Sequence, residues 1–174
     1  MTAVSGSVFT AAQFNTFVRD NLLMCPASIA STPGSLFVTD SSNSVVERIP
    51  VTANIATQEA VTATSFSDAP TPGPSVTAVT GQHAIIVISA EMGNVSSASA
   101  GCLAGVLISG ATSEVPSFNN ELRQESNGTA EFQRCSTFRL HTGLTPGSNT
   151  FKMQYMTLAG TMNIAYREIT VLPL

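Results

Sequence analysis

The segment "NTFKMQYMTL", residues 149–158, alternates with a period of two. Phe151, Met153, Tyr155 and Thr157 fall on one side and Lys152, Gln154 and Met156 on the other, the pattern of a strand with one face in a core. Met156 and Leu158 leave the second side half apolar, which invites a neighbour. Six further segments are strand-sized and rich in β-branched and aromatic residues: "TQEAVTATSF" (57–66), "SVTAV" (75–79), "AIIVISAEM" (84–92), "CLAGVLIS" (102–109), "EFQRCSTFRL" (131–140) and "MNIAYREITVL" (162–172). A weak "NELRQ" (120–124) makes an eighth. The connections "DAPTPGPS", "GNVSSASAG", "SGATSEVPSFNN" and "GLTPGSN" carry Pro, Gly and small polar residues, as turns require. Strands separated by turns, with no helical period between them, predict a mainly β chain: an antiparallel β-sandwich of jelly-roll type over residues 57–174.

Two different segments precede it. "FTAAQFNTFVRDNLLMCP" (9–26) has helical period. Thr10 and Gln13 fit a capping box, and Phe9 with Phe14 a hydrophobic staple. Phe14, Phe17, Val18 and Leu22 form one apolar stripe, and Pro26 ends the run. A helix of about four turns is marginal alone in water, so the stripe needs a partner surface, and residues 1–25 are expected to be a docking segment. Residues 26–56 hold two apolar clusters, Leu36, Phe37 and Val38, then Val45, Val46 and Ile49. "TDSSNS" between them has the composition of a turn. A two-stranded hairpin is barely stable by itself. These six residues are therefore the expected contacts between copies of the chain.

Composition narrows the function. Only 10% of the 174 residues are charged, against roughly 25% in an ordinary soluble protein. Ser and Thr, 42 residues together, do the solvating instead. The net charge of -4 and the lack of a basic cluster argue against nucleic acid as a partner. No secretion signal is read, and no apolar run approaches the ~20 residues of a membrane span.

Chemical motifs are absent as well. His83 and His141 have no Cys or carboxylate pair at metal-ligand spacing, and no glycine-rich phosphate loop or Gly-x-Ser-x-Gly elbow occurs. No cofactor is expected, nor catalysis. Glu114, Glu121 and Glu125 form the only local acidic cluster and read as a solvated loop. Cys102 and Cys135 read as small buried hydrophobes; the sequons at Asn94 and Asn127 read as chance. With no Trp, and Tyr155 and Tyr166 both in strands, an aromatic sugar platform is poorly supplied.

The segments "FTAAQFNTFVRDNLL", "PGSLFVTDSSNSVVERIP", "GLTPGSNTFKMQY" and "NIAYREITVLPL" resemble a group of small virion proteins of tailed phages that infect actinobacteria, of minor tail, fibre or head-decoration type. The resemblance covers nearly the whole chain in pattern and order and includes no catalytic signature. It implies a non-enzymatic homotrimeric component of the virion, assembled in the host cytoplasm. Other virion proteins would be its partners and the β domain would face outward. A module binding the host surface or a glycan is the competing expectation.

Overall fold

The computed structural model describes residues 8, 10–23, 25, 29–97, 99–125, 129 and 131–174. The chain divides into two compact units, Met1–Glu47 and Arg48–Leu174. Phe9 and the side chain of Phe17, both assigned above to the docking segment, lie outside the described residues.

In the first unit the expected capping box is formed. The Thr10 amide donates to Gln13 Oε1 at 3.0 Å, and the Gln13 amide donates to Thr10 Oγ1 at 3.2 Å. The expected single α-helix is instead broken into α1 (Ala11–Phe14), a π turn (Asn15–Arg19) and α2 (Asp20–Leu23). The widened turn holds Thr16 and Val18, whose β-branched side chains crowd a regular turn.

Strands β1 (Leu36–Thr39) and β2 (Val45–Arg48) pair as a two-stranded sheet. Their turn is organised by Asp40, whose Oδ1 accepts from the Ser42 amide at 2.8 Å and the Ser44 amide at 3.0 Å, while Asn43 takes a left-handed φ of 61°. Such Asx bonding is the reason Asp and Asn populate turns. Glu47 ties the preceding segment to the hairpin. It accepts from the hydroxyls of Ser31 and Ser35 and, at 2.8 Å, from the Thr32 amide. The Ser31 and Ser35 hydroxyls and the Thr32 amide hold its carboxyl well below the ordinary value, at about 2.

The second unit is two antiparallel sheets over one core. Its strands are β3 (Val51–Ile55), β4 (Glu59–Val61), β5 (Ser75–Thr80), β6 (Ala84–Asn94), β7 (Gly101–Gly110), β8 (Leu122–Glu125), β9 (Gln133–His141), β10 (Gly147–Thr157) and β11 (Met162–Pro173). One sheet runs β3-β11-β6-β9, with β4 also on β11, and the other runs β5-β10-β7-β8. Pairings are nested along the chain: β3 and β4 with β11, β5 with β10, β6 with β9 and β7 with β8. The sheet therefore starts at residue 51, earlier than the expected boundary at 57. The "TQEAVTATSF" segment, expected as one strand, is a strand only over Glu59–Val61.

The inward side of β10 is the one its period predicts: Phe151, Met153 and Tyr155 are fully buried, with Ile86 and Ile88 from β6 and Ile169 and Val171 from β11. Burying each such side chain contributes about 1.5–3 kcal/mol. The half-apolar outer side of β10 is covered in part by the chain itself, at Met156, while Leu158 stays 42% exposed. Thr157 donates its amide to Ala63 at 2.8 Å, and Ser67 bridges Tyr155 in antiparallel fashion. Phe66 packs edge-on against Phe118 with centroids 6.3 Å apart. Met156 is thereby left 4% exposed. Gly105 permits the cover to approach, because a Cβ there would lie 2.7 Å from Pro116 Cβ.

One cation sits wholly inside. Arg167 is 0% exposed, pairs with Glu59 at 3.1 Å and donates to the carbonyls of Thr57 and Thr71 at 3.3 Å each, over the Tyr155 ring at 5.6 Å. It is turned inward by a register shift between Ala165 and Glu168, where Tyr166 adopts a φ of 46°. Burial alone would raise the Glu59 carboxyl, but hydrogen bonds from Thr71 and the Arg167 charge outweigh it and hold it below its usual value. Burial pushes the Tyr155 phenol up, well above its ordinary value.

Removing one partner of a buried pair leaves the other charge uncompensated, so Glu59→Ala should lower stability by about 3–5 kcal/mol. The double change Glu59→Leu, Arg167→Met should lose much less, and denaturant unfolding reads both. A second expectation concerns pH. The folded value of Glu47, about 2, lies below the ordinary 4.5, so its contribution is full above 4.5 and fades as pH falls through 2. Amide resonances of Ser31 and Thr32 should hold still down to the ordinary carboxylate range and move only below it.

Candidate functional site

Every described apolar residue assigned to docking or self-contact is left at least partly open to water. In the helical segment Phe14 is 48% and Leu22 59% exposed, with Val18 half-buried. In the hairpin Leu36, Val38, Val45 and Val46 are half-buried and Phe37 is exposed. Ile49, expected with the hairpin, follows β2 in the second unit and is exposed.

The structure adds an apolar face that sequence reasoning missed. On β9, Phe138 and Leu140 point away from the core and are 76% and 56% exposed. They stand opposite Val87 and Ile85 of β6, and Ile85 is in turn opposite Leu172 of β11. The face turns polar at its other end, where Arg134 meets Glu168 at 3.6 Å and lies 6.0 Å from the Tyr166 ring. The only available signal was that β9 has apolar residues at alternate positions; which side is inward is set by its register on β6.

The inward side of β9 is correspondingly polar, and the acidic loop expected to be solvated meets it. Glu114 is held against β7 by two backbone bonds with Ile108, at 2.8 and 3.0 Å. Its carboxylate reaches β9, accepting from Arg139 at 3.1 Å and lying 2.7 Å from His141 Nε2. The Gly143 amide donates to His141 Nδ1 at 3.2 Å, so Nδ1 is the unprotonated nitrogen and Nε2 carries the proton given to Glu114. Burial alone would raise Glu114, but the His141 and Arg139 hydrogen bonds prevail and hold it below its usual value. Glu114 and His141 are 27 residues apart, which is why no spacing rule joined them.

Two cavities open on this side. The inner one, of about 100 Å³, has a floor of Ile86, Ile88 and Val106 and a rim of Asn120, Glu121 and Arg139. The outer one, about 360 Å³, runs past Glu114, His141 and Gly143 and shares Asn120 and Arg139 with the first. Burial pushes the Glu121 carboxyl up, only partly opposed by Arg123. Glu121 Oε2 and Arg139 Nε, both out of contact with water, have no hydrogen-bond partner among the described residues. No group of three or more metal-ligating side chains occurs among the described residues.

The remaining sequence candidates are accounted for. Cys102 is buried and Cys135 half-buried, both as free thiols. Asn94 is fully buried, with its side chain donating to Ala159 at 2.7 Å and accepting from the Ser97 amide at 2.7 Å, so the folded chain does not present that sequon. Asn127 lies outside the described residues.

No protein-family model and no curated protein matches the chain. Among solved structures, Eiger TNF from S. frugiperda is similar to it over 72% of this chain and 92% of that one, at 11% identity and a TM-score of 0.40.

Proposed function

We propose that the chain is a non-enzymatic structural subunit of a phage virion. It is a homotrimeric surface protein of minor tail, fibre or capsid-decoration type, docked through its N-terminal helical segment, with a jelly-roll β domain outward. The nested strand pairing supports the jelly roll: a long antiparallel hairpin wound on itself gives that order. The observation that carries the function is the apolar surface a single chain leaves in water, on the helical turns, on the hairpin and at Phe138 and Leu140. Sister copies are its natural cover. Burying a few hundred Å² per chain at ~25 cal/mol per Å² contributes several kcal/mol, enough to decide between association and separation. The low charge suits close packing, since little long-range repulsion opposes it.

Light scattering at micromolar concentration should give three times the 18.1 kDa chain mass, and Leu140→Asp or Phe37→Asp should lower it. A well-folded species at the mass of one chain would refute the assembly. Phe14→Asp should abolish incorporation into virions while circular dichroism of the β domain stays unchanged; normal incorporation would remove the helical segment from the docking role.

A further inference from the structure

We propose that the outer face of the sheet β3-β11-β6-β9 is the contact between copies, and that the chains stand aligned around it, with β9 running along the trimer axis. Leu140 and Phe138 meet their own counterparts there, and Arg134 meets carboxylates of the next chain. This rests on the trimer put forward above, and adds which surface closes it and in which sense.

The register of the sheet sorts this face into rows. Leu140 stands opposite Ile85, and Ile85 opposite Leu172; Phe138 stands opposite Val87, and Val87 opposite Thr170. Ser136, Ser89 and Glu168 make the next row, and the last sets Arg134 opposite Glu91. All of these side chains are half-buried or exposed, on the side away from the core. At 3.4 Å per residue the face thus grades from wholly apolar to charged over about 20 Å. β9 is the last strand of its sheet, so no strand of the same sheet stands beyond it.

Area and charge name a second copy as the cover. Phe138, Leu140 and Tyr166 are 76%, 56% and 51% exposed, and the Arg134 side chain 54%. At the ~150–250 Å² of a large side chain these four leave roughly 500 Å² open. With the half-buried residues between them the face approaches the ~800 Å² that one partner gives to a stable interface. The gradient then selects the sense. A two-fold axis across the strands would lay Arg134 and Glu91 of one chain on Leu140 and Ile85 of the other, stripping charges of water against apolar groups. An axis along β9 keeps the rows level, apolar against apolar. In the charged row Arg134, held only loosely by its own Glu168 at 3.6 Å, then comes beside Glu91 and Glu168 of the next chain. Opposite charges so placed fix register and reject the inverted pairing. A head-to-tail contact about such an axis closes as a ring, as the trimer requires.

The test is cross-linking of the full chain through single cysteines, Ser136→Cys, Phe138→Cys and Leu140→Cys, on a Cys25→Ser, Cys135→Ser background. A short bis-maleimide is the reagent, and light scattering reads the mass of each sample before it is added. Every one of the three variants should couple to its own counterpart, joining two chains of three and leaving the third free. Thr77→Cys, exposed on the other sheet, should not couple. Arg134→Glu should weaken association roughly tenfold, and adding Glu168→Arg should restore it. Ser136 is exposed and its replacement is small, so that variant reports even where Phe138→Cys or Leu140→Cys disturbs assembly. Trimer mass with coupling at Leu140 but not at Ser136 would mean inverted copies, and trimer mass with no coupling would give the face to a different partner. Either result overturns this contact and leaves the trimer standing. The mass of one chain would refute the trimer itself, and this contact with it.

Discussion

The β domain is organised around a charge that has to be neutralised inside it. Arg167 is fully buried, and an uncompensated guanidinium there would be untenable. Its partners all come from one stretch: Thr57, Glu59 and Thr71. The demand of that single side chain draws residues 57–71 across the domain instead of letting them run on as one long strand. Having been drawn there, Ala63 and Ser67 bond to the backbone of β10, and Phe66 meets Phe118, from the loop after β7, beside Met156. Tyr166 bears the local strain, with a φ that non-glycine residues seldom adopt. Without that shift the odd-numbered core residues of β11, Ile169 and Val171, would not be in phase with the even-numbered Met162 and Ile164 before it.

Two buried asparagines close the domain. Asn149 accepts from the Thr112 amide at 2.7 Å and donates to Thr80 at 2.8 Å and to the Thr145 carbonyl at 3.0 Å, tying two loops to β5. Asn94 ties the loop after β6 to the turn after β10. Both are fully buried with each end of the amide engaged, the condition under which a buried polar group adds uniqueness rather than penalty. The sandwich is thus closed by polar knots and by its own loops, while the side between β8 and β9 has a short strand, β8, and stays open. The apolar face of β9 and the polar cleft are the two sides of one edge strand.

Much of this could be read from the chain. The alternation in residues 149–158, the strand-sized apolar runs and the Pro/Gly connections place β5 to β11 within about two residues, whereas β3 is not read as part of the sandwich and β4 is read as a longer strand. The capping box at Thr10 and Gln13 needed nothing more than spacing. Legibility failed where one residue's role depends on a partner distant in sequence. β9 offers Phe138 and Leu140 on one side and Arg139 and His141 on the other, and hydrophobicity alone assigns the first pair inward. The opposite holds because Glu114, on a loop from the other sheet, supplies partners for the polar pair.

Local chemistry is therefore what the sequence determined by itself: period-two strands, turn residues, helix caps and a surface solvated by hydroxyls, all effects that act within a few residues of the chain. The tertiary structure alone decided which face of β9 is buried, where Arg167 finds its carboxylate and which polar atoms are left unpaired beside an open cavity. Those outcomes depend on burial and on pairing across tens of residues. Dielectric and partner are properties of a place in the fold, not of a position in the sequence.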